Sequence, residues 1–408
     1  MKKLDGEEAR IADYFDFIAG TSTGGLVTTL FSSPDPQEPK NRPFSGENII
    51  KFYHEEGPKI FPQKSTKIQP YGADQPSRVD IAAKELVKAI MEEEYYEDGR
   101  SASLRSFSHL MNWFKPIMEL WKSLWKPKHE NKKLKEVIEA KIGKRKLRQT
   151  PTNVLITSFD VKLLQPKVFS SLKASRDDLE DASLVDVCLS TSAAPLYLPL
   201  HIFETTSANR TENFHMTDGG VAANNPTLLA ILEASKERNL DIIGKAGNKS
   251  KDCSNLLVLS LGTGSTKRNG TNMDFMNSNW GPFHWLLQGL GDGSIPIVNV
   301  LMDAKDAMVD IYLSALFQST SSKSNYLRIQ TDSLTNAEAG MDDSSKGHLE
   351  TLEKIGNELL TKPVSAVKLE TGLLEPIDEA ITNAAALTDF ARRLVAERSR
   401  RRQAQCST

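Results

Sequence analysis

Short apolar runs alternate with longer amphipathic stretches along the chain. The apolar runs have the length and residue types of strands, and they predict strands at 14–19, 153–159, 256–261 and 326–330. Helical patterns cover 75–95 and about 297–318, and the C-terminal third is mostly helical. Because strands alternate with helices, the pattern predicts an α/β protein with a parallel or mixed sheet covered on both faces.

A serine motif lies between the first predicted strand and a helix that begins near Leu26. Residues Gly20 to Gly24 (GTSTG) fit the pattern G-x-S-x-G, with Ser22 at its centre. A sharp strand-to-helix turn exposes a serine hydroxyl at the sheet edge, and the N–H groups of the helix start face developing negative charge. The motif therefore predicts a nucleophile elbow, and the alternative is an ordinary glycine-rich turn.

A second candidate motif is the segment MTDGGVAANN at 216–225, which leads into a helix near Pro226. Its Asp218-Gly219-Gly220 triplet is on its own most often only a turn. A functional role for the triplet is supported only when the surrounding residues are compared with a known family.

Composition excludes several classes of protein. The chain has 408 residues and a formal charge of −2, which argues against a dedicated nucleic-acid binder. Its three cysteines lack metal-ligand spacing and are expected to be free thiols in a reducing compartment. Acidic residues interrupt the N-terminal segment, so no signal peptide is predicted, and no run approaches the roughly 20 apolar residues of a membrane span. We expect a cytoplasmic protein, with peripheral membrane contact discussed below.

Several segments, in a common order, resemble plant patatin-like phospholipases. They are DYFDFIAGTSTGG (13–25), FYHEEGPKIF (52–61), TNVLITSFDVKLLQP (152–166), LSTSAAPLYLP (189–199), TDGGVAANNPTLLA (217–230) and LVLSLGTG (257–264). The resemblance covers roughly 7–390. It predicts one patatin-like domain at 1–390 and a basic tail at 391–408.

The resemblance implies a Ser–Asp dyad, with Ser22 as the nucleophile and Asp218 as the proton acceptor. It implies a three-layer α/β/α sandwich with a mostly parallel central sheet. It also implies hydrolysis of fatty-acyl esters in phospholipids or galactolipids, through an acyl-enzyme and without a metal or other cofactor. An aspartate can act as the base only if it bonds directly to the serine in a partly desolvated site, and Gly219 and Gly220 would allow that approach.

A histidine triad is the rival assignment for the catalytic base. His284 and His348 follow Asp218 in the Ser–Asp–His order, and His215 lies close to Asp218 in sequence. None of the three has a motif around it, and we expect ordinary surface or loop histidines.

One family landmark has no counterpart in the sequence. Patatin-like enzymes carry a D-G-G-G-x-R-G loop after their first strand, which supplies most of the oxyanion hole, and no such segment precedes the serine motif here. We therefore expect a fold that lacks its first strand, with the N–H of Thr23 as the remaining oxyanion donor. The alternative function is a weak or inactive patatin-fold protein that stores or binds lipid.

A basic, tryptophan-rich insertion is predicted at 101–148. On a helix over 113–126, Trp113, Trp121 and Trp125 share one apolar face and lysines occupy the other. From 115 to 148 there are twelve Lys/Arg against four Asp/Glu, a local charge of +8. Tryptophan with lysine on an amphipathic helix suits a lipid interface. The alternative is that the apolar face packs onto the domain.

Overall fold

The computed structural model describes residues 1–38, 41–62, 127–237, 253, 255–266, 285, 296–318 and 322–406. The chain divides into two compact units. One consists of Met1–Gln63, Glu130–Asn272 and Met302–Thr408, and the other of Lys64–His129 and Met273–Leu301. The predicted helix at 75–95, the tryptophan-bearing helix at 113–126 and His284 lie outside the described residues. The features below belong to the first unit.

The strands are β1 Phe17–Thr21, β2 Asn153–Asp160, β3 Gln165–Ser170, β4 His201–Ser207, β5 Arg210–Asp218, β6 Val258–Leu261, β7 Tyr326–Ile329, β8 Pro363–Val367 and β9 Leu374–Thr382. The helices are α1 Lys2–Asp5, α2 Thr23–Phe31, α3 Gly46–Ile60, α4 Lys132–Ile142, α5 Ser171–Ala174, α6 Leu184–Ser192, α7 Gly220–Ala223, α8 Thr227–Glu237, α9 Pro296–Gln318, α10 Lys346–Thr361 and α11 Asn383–Cys406. The α/β class predicted from the sequence is confirmed. None of the helices described is long and apolar enough to cross a membrane.

The sheet that carries the candidate site has the order β1-β2-β5-β4, with β3 also paired to β2. Strands β1 and β2 are parallel, and Thr21 lies opposite Thr157. Strand β5 runs antiparallel to the end of β2, where Asp218 lies opposite Ser158. These pairings bring the end of β1 and the end of β5 to the same edge of the sheet. Strands β6 and β7 form a separate parallel pair, and β8 and β9 form an antiparallel hairpin. Within the described residues, β1 and β6 each pair along one edge only.

The main core lies between this sheet and the helices that pack on it. Strand β2 contributes Val154 and Ile156, and α2 contributes Leu26 and Leu30, all of them buried. Burial of one such side chain stabilises the fold by about 1.5–3 kcal/mol. Because α2 is anchored in this core, the turn that precedes it has little freedom to move.

Two predicted boundaries differ from the structure. Helix α4 falls inside the predicted insertion at 101–148, yet it is part of the main core, since Leu134, Val137, Ile138 and Ile142 are buried there. Helix α11 continues through the predicted boundary at 390 to Cys406. It is not a solvated tail, because Leu394 is buried in a second core cluster and Arg398 pairs with Asp5 at 2.6 Å.

Candidate active site

Ser22 is the single residue between β1 and α2, and its backbone is strained. Its φ is 55° and its ψ is −126°, a region that residues other than glycine rarely adopt. Such a conformation costs on the order of 1–3 kcal/mol and persists only where surrounding contacts impose it. One such contact is the Ser22 N–H, which donates to Oγ1 of the buried Thr191 at 2.7 Å. The sharp strand-to-helix turn predicted for the serine motif is therefore present, and the role of Ser22 as nucleophile stays a prediction.

The two glycines of the serine motif have different roles. A Cβ on Gly20 would lie 2.0 Å from the carbonyl oxygen of Gly24, so only glycine lets the strand end approach the helix start this closely. A Cβ on Gly24 would meet nothing within 4 Å. The close approach of the strand end to the helix start therefore depends on Gly20. Gly24 faces open space beside the half-buried Ser22.

Asp218, the last residue of β5, lies directly against Ser22. The Ser22 hydroxyl donates to Oδ2 of Asp218 at 2.5 Å, and the N–H of Gly220 donates to Oδ1 at 2.7 Å. The backbone N–H of Asp218 donates to the carbonyl of Ala193 at 3.0 Å. A Cβ on Gly219 would lie 2.4 Å from the carbonyl oxygen of Thr157, so glycine is required for this turn. The structure thus brings together the two motifs that are 196 residues apart.

The environment of Asp218 makes its carboxyl a stronger base than a free aspartate. Asp218 is 5% exposed, and burial raises its pKa to about 6 against the pull of the Ser22 and Gly220 hydrogen bonds and of the Lys305 charge. The two hydrogen bonds and the charge favour the ionised form, and desolvation outweighs them. A carboxyl with a pKa near 6 is ionised at pH 7 and accepts a proton more readily than one near 3.9.

The start of α2 offers two backbone donors beside the serine. The N–H groups of Thr23 and Gly24 make no hydrogen bond to any residue in the described part of the chain, whereas those of Gly25 and Leu26 bond to the carbonyl of Ser22. Free N–H groups at a helix start favour negative charge. The predicted oxyanion donor, Thr23, is one of these two groups.

The histidines considered as alternatives do not reach Asp218 where they are described. His215 lies three residues before Asp218 on β5, so its side chain points to the opposite face of the sheet. His348 lies near the start of α10, with its Nδ1 3.9 Å from Asp343. The side-chain hydrogen bonds of Asp218 within the described residues come from Ser22 and Gly220. The triad therefore gains no support from His215 or His348.

Sequence reasoning missed three supporting residues. Thr191 holds the Ser22 backbone, and Thr157 holds the neighbouring Thr21 side chain through an Oγ1–Oγ1 contact of 2.6 Å. Lys305 of α9 contacts the glycine turn after Asp218. Thr191 lies in the TSAAP segment, which the sequence comparison marked without assigning a role, and Lys305 carried no signal. No three His, Cys, Asp or Glu side chains in the described ranges are grouped to hold a metal ion.

An α/β sheet with a serine on a strand–turn–helix elbow is the arrangement of serine-dependent α/β hydrolases. Residues 1–231 match the family model of the patatin-like phospholipases. The chain is 41% identical to Patatin-like protein 2 of Arabidopsis thaliana, over 96% of this chain and 84% of that protein. It is 37% identical to Patatin-like protein 1 of Oryza sativa subsp. indica, over 98% and 84% respectively. It is also 34% identical to Patatin group J-1 of Solanum tuberosum, over 91% and 80%.

The chain therefore belongs to the patatin-like phospholipase family. Membership confirms the resemblance seen in the sequence and agrees with the three-layer α/β/α fold. It also implies lipid acyl hydrolase activity in general.

Proposed function

We propose that this chain cleaves fatty-acyl esters of membrane glycerolipids, phospholipids or galactolipids, with Ser22 and Asp218 as a catalytic dyad. The observation that carries the proposal is the 2.5 Å hydrogen bond from the Ser22 hydroxyl to the buried carboxylate of Asp218. A serine needs a base within hydrogen-bond reach to become a nucleophile. The family membership supports the lipid ester as the class of substrate.

In the proposed reaction, Asp218 takes the hydroxyl proton as the Oγ of Ser22 attacks the ester carbonyl. The tetrahedral intermediate then collapses and the C–O bond of the leaving alcohol breaks. Asp218 returns the proton to that alcohol, which departs and leaves an acyl-enzyme on Ser22. A water molecule, deprotonated by Asp218, hydrolyses the acyl-enzyme and releases the fatty acid.

The oxyanion of the tetrahedral intermediate forms next to the start of α2. We propose that the N–H groups of Thr23 and Gly24 donate to it, because they bond to no described residue and Gly24 faces open space. One donor of this kind is typically worth about 10²–10³ in turnover. Two backbone donors on a core-anchored helix need no reorganisation when the charge appears.

The test uses a fluorophosphonate probe, a soluble p-nitrophenyl ester, and a lipid panel of phosphatidylcholine and monogalactosyldiacylglycerol. The intact chain should be labelled and should hydrolyse the soluble ester, and Ser22→Ala should lose both activities. The matched control is Ser175→Ala, at an exposed serine that follows α5, and it should retain both. Labelling that persists in Ser22→Ala would refute the nucleophile. Lipid binding without hydrolysis by the intact chain would favour the storage or lipid-binding alternative.

We also propose peripheral membrane contact through the segment 113–126, on sequence grounds alone. Its amphipathic pattern and the charge of +8 over 115–148 suit anionic lipid surfaces. Combined Trp121→Ser and Trp125→Ser substitutions should weaken binding to mixed phosphatidylcholine–phosphatidylserine vesicles while hydrolysis of the soluble ester persists. Equal loss in both assays would indicate that the segment packs onto the domain instead.

A further inference from the structure

Lys305 lies on α9 and contacts the glycine turn that follows Asp218. Its ammonium group donates to the carbonyl oxygen of Gly220 at 2.6 Å and also to the carbonyl oxygen of Val221. The Sδ of Met302, one helical turn earlier, lies 3.1 Å from the same nitrogen. These contacts place the Lys305 ammonium group against the backbone that follows Asp218.

The contacts of Lys305 continue to the reacting atoms through one residue. Gly220 accepts from Lys305 through its carbonyl and donates through its N–H to Oδ1 of Asp218, whose Oδ2 accepts from Ser22. Helix α7 has only four residues, so it has little internal hydrogen bonding to hold Gly220 in place. A charged donor from another element can fix the position of Gly220 by hydrogen bonding, because charge-assisted hydrogen bonds are about twice as strong as neutral ones.

We propose that Lys305 is a positioning residue for the dyad: its ammonium group fixes the Gly220 backbone, which holds the Asp218 carboxylate against Ser22. This inference rests on the proposed function of that dyad. The ammonium group of Lys305 is directed at two backbone carbonyls and at the Sδ of Met302, so its role is to hold this backbone. Its positive charge also stabilises the ionised carboxylate, so geometry and electrostatics act in the same direction.

Other charged groups near Lys305 lie further from the reacting atoms. Asp306, the next residue of α9, bonds to the side-chain amide of Asn224 at 2.6 Å. Asp310, one turn later, bonds to the amide of Asn225 at 3.0 Å and pairs with Arg328 of β7 at 3.4 Å. Burial raises the pKa of Asp218, and the Lys305 charge opposes that rise. Burial lowers the pKa of Lys305, and the charges of Asp306 and Asp218 oppose that change. Among these groups, Lys305 is therefore the one whose removal changes the charge felt by Asp218.

The first test is the pH profile of kcat/KM on a soluble ester for Lys305→Met and Lys305→Arg. The methionine fills the space without a charge, and the arginine keeps the charge and the donors. We expect Lys305→Met to lower kcat/KM at pH 7 about tenfold or more, which is the effect of losing one charge-assisted hydrogen bond. The loss should lie in kcat, and the acid limb of the pH profile should move to higher pH.

Lys305→Arg should restore most of the activity and the position of the acid limb. Lys346→Met, at an 85% exposed lysine of α10, is the matched control and should change nothing.

The second test needs no catalysis and separates this inference from the proposed function. The pH dependence of unfolding is compared in the intact chain, Asp218→Asn, Lys305→Met and the double variant. If Lys305 acts on Asp218, the stability gained through Asp218→Asn should keep growing to higher pH and reach a larger final value in the Lys305→Met background, because loss of the Lys305 charge raises the pKa of Asp218 in the folded protein. If Lys305→Met does not fold, Lys305→Gln takes its place, since glutamine keeps a neutral donor.

A folded Lys305→Met with an unchanged acid limb and no coupling to Asp218→Asn would overturn the inference. If the intact chain lacked Ser22-dependent hydrolysis, the proposed function would fail, and the unfolding cycle alone would decide whether Lys305 controls Asp218.

Discussion

Replacement of Asp218 with asparagine should abolish hydrolysis and at the same time stabilise the fold at neutral pH. Asparagine has the shape of aspartate and keeps an oxygen for the N–H of Gly220, which donates at 2.7 Å in the intact chain. It cannot accept the proton of Ser22, so the nucleophile is not activated. It also carries no charge, so it removes the cost of holding a carboxylate in a site that is 5% exposed.

The size of the stabilisation follows from the pKa of Asp218 in the two states. The pKa is about 6 in the folded protein, and an unfolded chain has about 3.9. The folded state therefore binds the proton of Asp218 more tightly than the unfolded state does. The stability that this proton contributes is fully present below about pH 4 and is lost as the pH rises through 6. The full difference is about 3 kcal/mol, of which roughly half is lost between pH 5 and pH 8.

The assay is urea-induced unfolding of the intact chain and of Asp218→Asn at several values between pH 5 and pH 8. The stability difference between the two proteins should grow with pH by about 1.4 kcal/mol over this range. Asp389→Asn is the matched control, because Asp389 is exposed and its replacement removes no buried charge. A difference that stayed constant or shrank with rising pH would refute the buried, proton-accepting carboxylate. Retained hydrolysis in a folded Asp218→Asn would refute its role as the base.

Three further changes test the support of the elbow. In urea unfolding, Ser22→Gly should be more stable than Ser22→Ala by about 1–3 kcal/mol, because glycine adopts the observed φ without strain. Equal stabilities would mean that the Ser22 backbone stores no strain. Thr191→Val should lower kcat on a soluble ester by at least about tenfold, because the Ser22 N–H loses its acceptor, whereas Thr191→Ser should retain activity. Gly20→Ala should fail to fold or melt well below the intact chain, and Gly24→Ala should keep its melting temperature, since only the first places a Cβ 2.0 Å from a backbone oxygen.

Four strands could be predicted from the sequence because each contains a short, mostly apolar run. Strands β1, β2, β6 and β7 lie within a few residues of the predicted positions. A strand-like segment was expected before Met216, but the pairing of β4 with β5 and of β8 with β9 was not predicted. Strand β4 alternates regularly between half-buried and exposed positions, β5 and β9 contain many polar residues, and β8 has only five residues. Their pairing partners, and not their own hydrophobicity, define them as strands, so the apolar pattern gives little signal.

The serine motif was predicted from local sequence because all the elements it needs are adjacent in the chain. A strand, a glycine that tolerates the close approach and a helix start follow one another within a few residues. Asp218 was assigned by resemblance alone, because an Asp-Gly-Gly triplet is compatible with any turn. The rival His215 is only three residues away in sequence. The alternation of side chains along β5 separates it from Asp218, which the sequence could show only once β5 was known to be a strand.

The contact between Ser22 and Asp218 depends on a third segment, the end of α6. Thr191 accepts the N–H of Ser22 through its side chain, and two residues later Ala193 accepts the N–H of Asp218 through its carbonyl. Ser22 and Asp218 are therefore both hydrogen-bonded to one short segment, residues 191–193. A small movement of this segment would displace both residues together. The two residues that form the 2.5 Å hydrogen bond therefore share an anchor. No single sequence motif predicts this arrangement. Thr191 contributes a hydroxyl and Ala193 a backbone carbonyl, and the fold alone determines which residues these groups bind.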